Sequence, residues 1–164
     1  MRTLTRSFLK GLEWLPGIGR GVRVVNLLHA IRHLEDEQRW GDARALRRAA
    51  LEEVAFERSG PLWRSEGEDL LQNRRDPRGA LEAFQKAEKA MGLSPALYGV
   101  TAPDRVYAGA AQAALAMGKV EMARAYHRKL AVLVAELARK SPPAALPWHH
   151  ETLAQLDARL SDTA

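Results

Sequence analysis

The sequence predicts an all-α protein built from successive helical hairpins, and three observations support this prediction. Apolar residues recur at three- and four-residue spacing in nearly every segment after residue 22, which is the period of an amphipathic helix. The sequence contains no alternating Val, Ile and Thr runs bounded by turns, which are typical of strands. Three segments also share one pattern, in which a polar turn leads into a helix with a central alanine.

Length and composition are those of one small domain. The chain has 164 residues, of which 46% are hydrophobic, and it has no cysteine, so disulfides and thiolate metal sites are excluded. No apolar run reaches the roughly 18 residues of a membrane span. The early apolar stretch is interrupted by Lys10, Glu13 and Pro16, which makes it a poor signal peptide. We therefore expect a cytoplasmic protein.

The first element is a basic N-terminal helical segment, 1–23. The chain has a net charge of +5, and residues 1–33 contain six basic side chains against one acidic one. A basic end favours an acidic partner such as nucleic acid, an anionic lipid surface or an acidic protein, although the same charges also promote solubility. An alternative is an amphipathic helix that docks on a membrane or a partner helix, or that forms a dimer. Its apolar side would consist of Phe8, Leu9, Leu12 and Trp14.

Within this segment, "LPGIGRG" (15–21) is similar to the turn of helix-hairpin-helix DNA-binding elements, in which Leu-Pro-Gly-hydrophobic-Gly joins two short helices. The resemblance implies that backbone N–H groups at Gly17 and Gly19 contact a DNA phosphate. Arg20 and Arg23 would add charge, and binding would depend on salt rather than on base sequence. Arg23 departs from the family, which has a small alanine at that position. The alternative is a simple junction between two helices.

The central region, 24–139, contains the repeated pattern. Its segments 40–54, 75–90 and 118–133 align on Ala45, Ala80 and Ala123, where we expect two helices to approach closely. These alanines are 35 and 43 residues apart. The longer interval includes "SPALYGVTAP" (94–103), whose Pro and Gly residues interrupt a helix.

These intervals and residues resemble the tetratricopeptide-repeat (TPR) family, whose period is about 34 residues. The second unit carries the residues of the family's signature at Trp63, Gly67, Leu70, Ala80, Phe84 and Ala87 and ends at Pro95. The third unit has Tyr107, Ala111, Ala114, Gly118 and Ala123, with His127 where a large aromatic is usual. The resemblance implies a right-handed α-solenoid of about three hairpins. In the C-terminal part, 140–164, a Pro-rich linker leads to a helix expected to cap the stack.

The same resemblance implies a non-catalytic adaptor or scaffold that binds a peptide or partner helix in its concave face. The residues that would line this face are Arg32, Arg64, Glu68, Gln72, Arg105, Ala108 and Gln112. Glu68 replaces a residue of the family's carboxylate clamp, so we expect no binding of acidic C-terminal tails by that clamp. Tyr98 is a further candidate, because long interruptions in compact repeats often carry function. The alternative is a DNA-binding protein that uses the repeats as a docking module.

The histidines suggest a third, metal-dependent or hydrolytic interpretation. His29 and His33 are four residues apart on one helix face, but Ala30 stands where a zinc protease has glutamate, and the sequence supplies no third ligand. His149 and His150 are expected at a solvated helix N-terminus, where Glu151 favours the helix dipole. We therefore predict no metal, no cofactor and no enzymatic activity.

Overall fold

The regular structure is helical, as predicted. A computed structural model describes residues 20–140 and 147–162, and within these ranges there is no strand. None of the described helices combines the length and apolar character that crossing a membrane requires. In chain order the α-helices are α1 (Arg20–Asp36), α2 (Trp40–Glu53), α3 (Gly60–Gln72), α4 (Pro77–Leu93), α5 (Tyr98–Thr101), α6 (Pro103–Ala116), α7 (Val120–Lys140) and α8 (Pro147–Ser161).

The helix starts follow from local chemistry. Pro77 begins α4 directly after Asp76, whose Oδ1 accepts a hydrogen bond of 2.9 Å from the backbone N–H of Gly79. The predicted interruption at 94–103 is present, because α4 ends at Leu93. It is not a loop, however. The segment forms a 3₁₀ turn at Pro95–Leu97 followed by α5, so its backbone groups are paired locally.

Within the described residues, three helix pairs follow one another. Short turns join α1 to α2, α3 to α4 and α6 to α7, and the two helices of each pair pack together. The second and third pairs share one apolar core, because α4 packs against both α3 and α6. The C-terminal helix α8 lies against α6 and α7, where Leu156 and Leu160 are buried.

Phe84 lies at the centre of the larger core. The side chain is 1% exposed, and its ring contacts the backbone of two helices at Gly67 and Gly109. A Cβ at Gly67 would lie 2.9 Å from the ring, so the close approach requires glycine there. Ala80 and Ala123 are fully buried, which confirms the prediction that small residues stand where helices meet.

The prediction for Ala45 is wrong. Ala45 is exposed, and the buried face of α2 consists of Ala43, Leu46, Arg47 and Ala50. These positions follow the three- and four-residue spacing of one helix face, to which Ala45 does not belong. The alignment with the other units therefore placed the first unit out of register.

The prediction for His149 is also wrong. The side chain is 2% exposed, whereas a solvated helix N-terminus was expected. The first turn of α8 lies against the start of α6, where His149 Nε2 is 2.9 Å from Asp104 Oδ2. Its neighbour Trp148 lies beside Arg105, whose guanidinium carbon is 5.7 Å from the centre of the indole ring. His150 and Glu151 are exposed, as expected.

Candidate functional site

Three residues of the predicted binding face lie together, and Glu68 lies beside the guanidinium groups of both Arg64 and Arg105. Arg64 Nη1 is 2.9 Å from Glu68 Oε1, and Arg105 Nη1 is 3.9 Å from the same oxygen. The Arg64 side chain is only 11% exposed.

The remaining residues of the predicted face are placed differently. Arg32 and Gln72 are exposed, and Gln112 is half-buried. Ala108 is 7% exposed and belongs to the larger apolar core, so it does not line an accessible face as predicted. Its side of α6 is covered by neighbouring helices, a relation that the sequence pattern of α6 did not reveal.

An open groove lies instead along α7, and we call it the tyrosine groove. It has a volume of about 490 Å³. Tyr98, the candidate in the interruption, borders it and is 41% exposed, and Val132 on α7 is 61% exposed. Exposed apolar side chains gathered in one groove are typical of an interaction surface. The lining residues are Tyr98, Tyr107, Ala125, Arg128, Lys129, Val132, Leu133 and Glu136.

A polar network fixes the inner wall of the tyrosine groove. Lys129 Nζ lies 2.6 Å from Glu88 Oε1, and the Tyr126 hydroxyl donates a 3.2 Å hydrogen bond to Glu88 Oε2. The Lys129 ammonium is also 5.8 Å from the ring centre of Tyr107 and 5.0 Å from that of Tyr126. Burial, with the negative charge of Glu88, raises the pKa of both Tyr107 and Tyr126 to about 12. Both phenols are therefore neutral near pH 7.

A second groove, which we call the arginine groove, lies where α2 meets α3. It also has a volume of about 490 Å³. Next to it, Lys86 Nζ lies 4.2 Å from the ring centre of Trp63, a cation–π contact on one face of the indole. The lining residues are Arg44, Arg48, Leu51, Glu52, Trp63, Glu66 and Arg74.

Beneath the arginine groove, Arg47 is a buried cation that sequence reasoning missed. It is 0% exposed, donates a 3.1 Å hydrogen bond to Ser65 Oγ and forms a salt bridge with Glu35. Its Nη1 also lies 3.4 Å from Glu66 Oε2 and 3.7 Å from Asp69 Oδ2. Helical spacing could have revealed the burial of Arg47, because this residue falls on the same face of α2 as the buried apolar residues.

The carboxylates around Arg47 respond differently to burial. Burial raises the pKa of Glu35, and the charge of Arg47 offsets only part of that rise. Burial also acts to raise the pKa of Asp69, but hydrogen bonds from Arg44 and Asn73 and the charge of Arg47 outweigh it. The pKa of Asp69 is therefore lowered, and this carboxylate is anionic at neutral pH.

The metal interpretation gains no support from the positions of the histidines. His29 and His33 are both exposed, and His33 Nδ1 lies 3.4 Å from Glu37 Oε1. Within residues 20–140 and 147–162, no group of three His, Asp or Glu side chains is arranged to hold a metal ion.

The DNA-binding interpretation falls mostly outside the described residues. Gly17 and Gly19 lie there, as does the rest of the helix-hairpin-helix-like turn, and Arg20 is the first residue of α1. Arg23 is described, and its Nη2 lies 3.2 Å from Glu53 Oε2, which ties α1 to the end of α2. One of the two arginines expected at the phosphate therefore has an intramolecular partner.

Comparison of the chain with models of protein families, with curated proteins and with solved structures finds no match.

Proposed function

We propose that the chain is a non-catalytic, TPR-like interaction protein, which binds a short segment of a partner protein in the tyrosine groove. The observation that carries the proposal is the exposure of Val132 and Tyr98 on the walls of one open groove. Covering this surface removes apolar area from water, which is the main driving force of protein association.

The polar groups of the tyrosine groove favour binding over proton transfer. Tyr107 and Tyr126 have a pKa raised to about 12 and are neutral near pH 7. Tyr107 lines the groove, so its ring is available to an apolar side chain, whereas Tyr126 is buried and does not line the groove. The Lys129 ammonium is paired with Glu88, and the same ammonium lies 5.8 Å from the ring centre of Tyr107. We therefore expect a ligand segment with a large apolar side chain that packs between Tyr98 and Val132.

Selection from a library of random dodecapeptides, followed by affinity measurement on the full chain, tests the proposal. We expect the selected peptides to share a large apolar residue. Val132→Asp should weaken their binding at least about tenfold, because a buried unpaired carboxylate is costly. Leu93→Asp is the matched control, since Leu93 is 59% exposed and does not line the groove.

Equal binding by the Val132→Asp and Leu93→Asp variants would contradict the proposal. The same conclusion would follow if the selected peptides lost affinity only on substitution of Arg105, which lies on the face predicted from the sequence. Circular dichroism of each variant checks that the helices are retained. Failure to select any peptide would also count against a segment-binding function.

A further inference from the structure

We infer that the tyrosine groove selects an extended segment in which a large apolar residue lies between one acidic and one basic residue, each two positions away. This inference rests on the proposed function and names the chemistry of the segment that the groove takes. The observation behind it is the order of three side chains on α7, because Arg128, Val132 and Glu136 all line the groove.

These three residues lie on one face of α7. They follow one another at intervals of four residues, and each interval is a rise of about 6 Å along the helix. The apolar Val132 therefore lies between a cation and an anion. The groove has a positive end at Arg128, an apolar centre that Tyr98 borders, and a negative end at Glu136.

The positive end offers one cation to a ligand. Arg128 is exposed and forms no salt bridge with a described residue. Lys129 also lines the groove, but its Nζ lies 2.6 Å from Glu88 Oε1, so its charge is already matched. Arg128 therefore remains to pair with an acidic side chain.

The negative end has a carboxylate with only a weak partner among the described residues. Glu136 Oε2 lies 3.8 Å from Lys140 Nζ, and the two side chains are 53% and 67% exposed. Exposed pairs of this kind contribute little to stability. A carboxylate accepts several hydrogen bonds, so Glu136 can also pair with a basic side chain of the ligand.

A segment with one charge of each sign fits this groove better than a segment of a single sign. Two acidic residues would bring a carboxylate close to Glu136, and two basic residues would bring an ammonium close to Arg128. Each arrangement places like charges together, which is unfavourable. The separation of the charges in the groove, rather than its net charge, therefore determines the preferred segment.

The distances suit an extended chain. The rise along α7 from Arg128 to Glu136 is about 12 Å. In an extended segment, three side chains at alternate positions lie on one side and span about 13 Å. A helical ligand about 10 Å wide would occupy about 900 Å³ over the same length, whereas the groove has a volume of about 490 Å³.

Fluorescence anisotropy on the full chain tests the inference. The probe is a fluorescein-labelled nonapeptide with the central sequence Glu-Thr-Leu-Thr-Lys between serines, and the reference peptide has Gln at both charged positions. We expect the charged peptide to bind about fivefold more tightly than the reference, because two exposed ion pairs are added. Peptides with Glu at both positions, or with Lys at both, should bind no more tightly than the reference.

Inverting one charge of the groove should change which peptide is preferred. Arg128→Glu makes both ends negative, so this variant should prefer the peptide with two Lys residues. Glu136→Lys makes both ends positive, so this variant should prefer the peptide with two Glu residues. Both native side chains are exposed, so the fold should be retained, and circular dichroism checks this.

Two controls separate this inference from general charge and from the proposed function. Arg78→Glu inverts a charge on α4 at a side chain that is 82% exposed and lies outside the groove, so the peptide preference should not change. Val132→Asp should weaken binding of the Gln reference peptide, because the apolar centre is lost. Binding that depends on Val132 but not on the peptide charges would overturn the inference alone. Binding that does not depend on Val132 would overturn the proposed function.

Three further results would overturn the inference. They are an unchanged preference in the Arg128→Glu and Glu136→Lys variants, the same change of preference in the Arg78→Glu variant, and no binding of any of the peptides. Sedimentation velocity tests a different occupant. A dimer of the unaltered chain that Val132→Asp dissociates would assign the groove to a second copy instead.

Discussion

His149 Nε2 lies 2.9 Å from Asp104 Oδ2, and this contact joins the first turn of α8 to the first turn of α6. The histidine is 2% exposed, so its ring is removed from water together with one side of the carboxylate. The position of Asp104 in the first turn of α6 is favourable for an anion because of the helix dipole. A polar pair therefore secures the C-terminal helix, in addition to Leu156 and Leu160.

Replacement of His149 should loosen this helix. We expect His149→Ala to lower the free energy of unfolding by about 1–3 kcal/mol, because a buried carboxylate contact is lost and a cavity is left. Urea denaturation followed by circular dichroism measures the change. The adjacent His150 is exposed, so His150→Ala should change stability by less than about 0.5 kcal/mol. Equal effects of the two substitutions would show that the contact does not stabilise the fold.

Arg47 should be essential to the junction of the first two helix pairs. Arg47→Met should lower the free energy of unfolding by about 3 kcal/mol, because it leaves buried carboxylates without their shared cation. Arg48→Met is the matched control on the next residue, and its exposed side chain predicts a change below about 0.5 kcal/mol. Chemical denaturation of the two variants under identical conditions decides the point. If the Arg47→Met variant were as stable as the unaltered chain and the Arg48→Met variant, that result would contradict a structural role for Arg47.

The decrease in the free energy of unfolding at acidic pH should depend on Asp69. Its folded pKa is lowered from the usual 3.8, so its ionised form stabilises the fold above that pH, and the contribution is lost as pH falls further. The stability difference between the unaltered chain and Asp69→Asn should therefore shrink below pH 3.8. Urea midpoints measured at pH 7, 5 and 3 provide the test.

Glu35 provides a control, because its contribution to stability should change with pH in the opposite direction to that of Asp69. Its folded pKa is raised above the usual 4.5, so its contribution is complete below that pH and is lost as pH rises through the raised value. The difference between the unaltered chain and Glu35→Gln should therefore move in favour of the unaltered chain on acidification. A difference independent of pH for both variants would refute the assigned shifts.

The glycine at position 67 should resist replacement. A Cβ there would lie 2.9 Å from the ring of Phe84, so Gly67→Ala should cost about 1–3 kcal/mol despite the better helix propensity of alanine. Gly92, in the last turn of α4, is different, because a Cβ there would meet no heavy atom of a neighbouring group within 4 Å. Gly92→Ala should therefore be neutral or slightly stabilising. Thermal denaturation of both variants tests the contrast, and a stabilised Gly67→Ala would disprove the close packing.

Tyr107, which lines the tyrosine groove, and the buried Tyr126 should ionise only at high pH. Of the three tyrosines in the chain, Tyr107 and Tyr126 have a pKa raised to about 12. Ultraviolet titration should show two tyrosinate signals near pH 12, and Tyr107→Phe and Tyr126→Phe should each remove one. Because the folded pKa is raised, the related stabilisation is lost as pH rises from 10 towards 12. Titration of both phenols near pH 10 would contradict their burial.

Prediction from the sequence succeeded where a feature depends on local spacing. The helices, the break after Leu93 and the burial of Ala80 and Ala123 all follow from periodicity and turn chemistry. The prediction for Ala45 was wrong, because an alignment that is one or two positions off along a helix exchanges its buried and exposed residues. The amino-acid composition of the helix does not reveal such an error. The prediction was also wrong for Ala108, since small residues occur both in cores and on surfaces.

The sequence by itself determined the all-helical class and the order of the helices, because helix period, caps and prolines act over a few residues. Only the tertiary structure decided which polar groups are buried and which grooves stay open. The burial of Arg47 depends on carboxylates contributed by α1 and α3, and that of His149 depends on α6. The physical reason is that burial of a charge or an imidazole is set by partners distant in the chain, which no local pattern encodes.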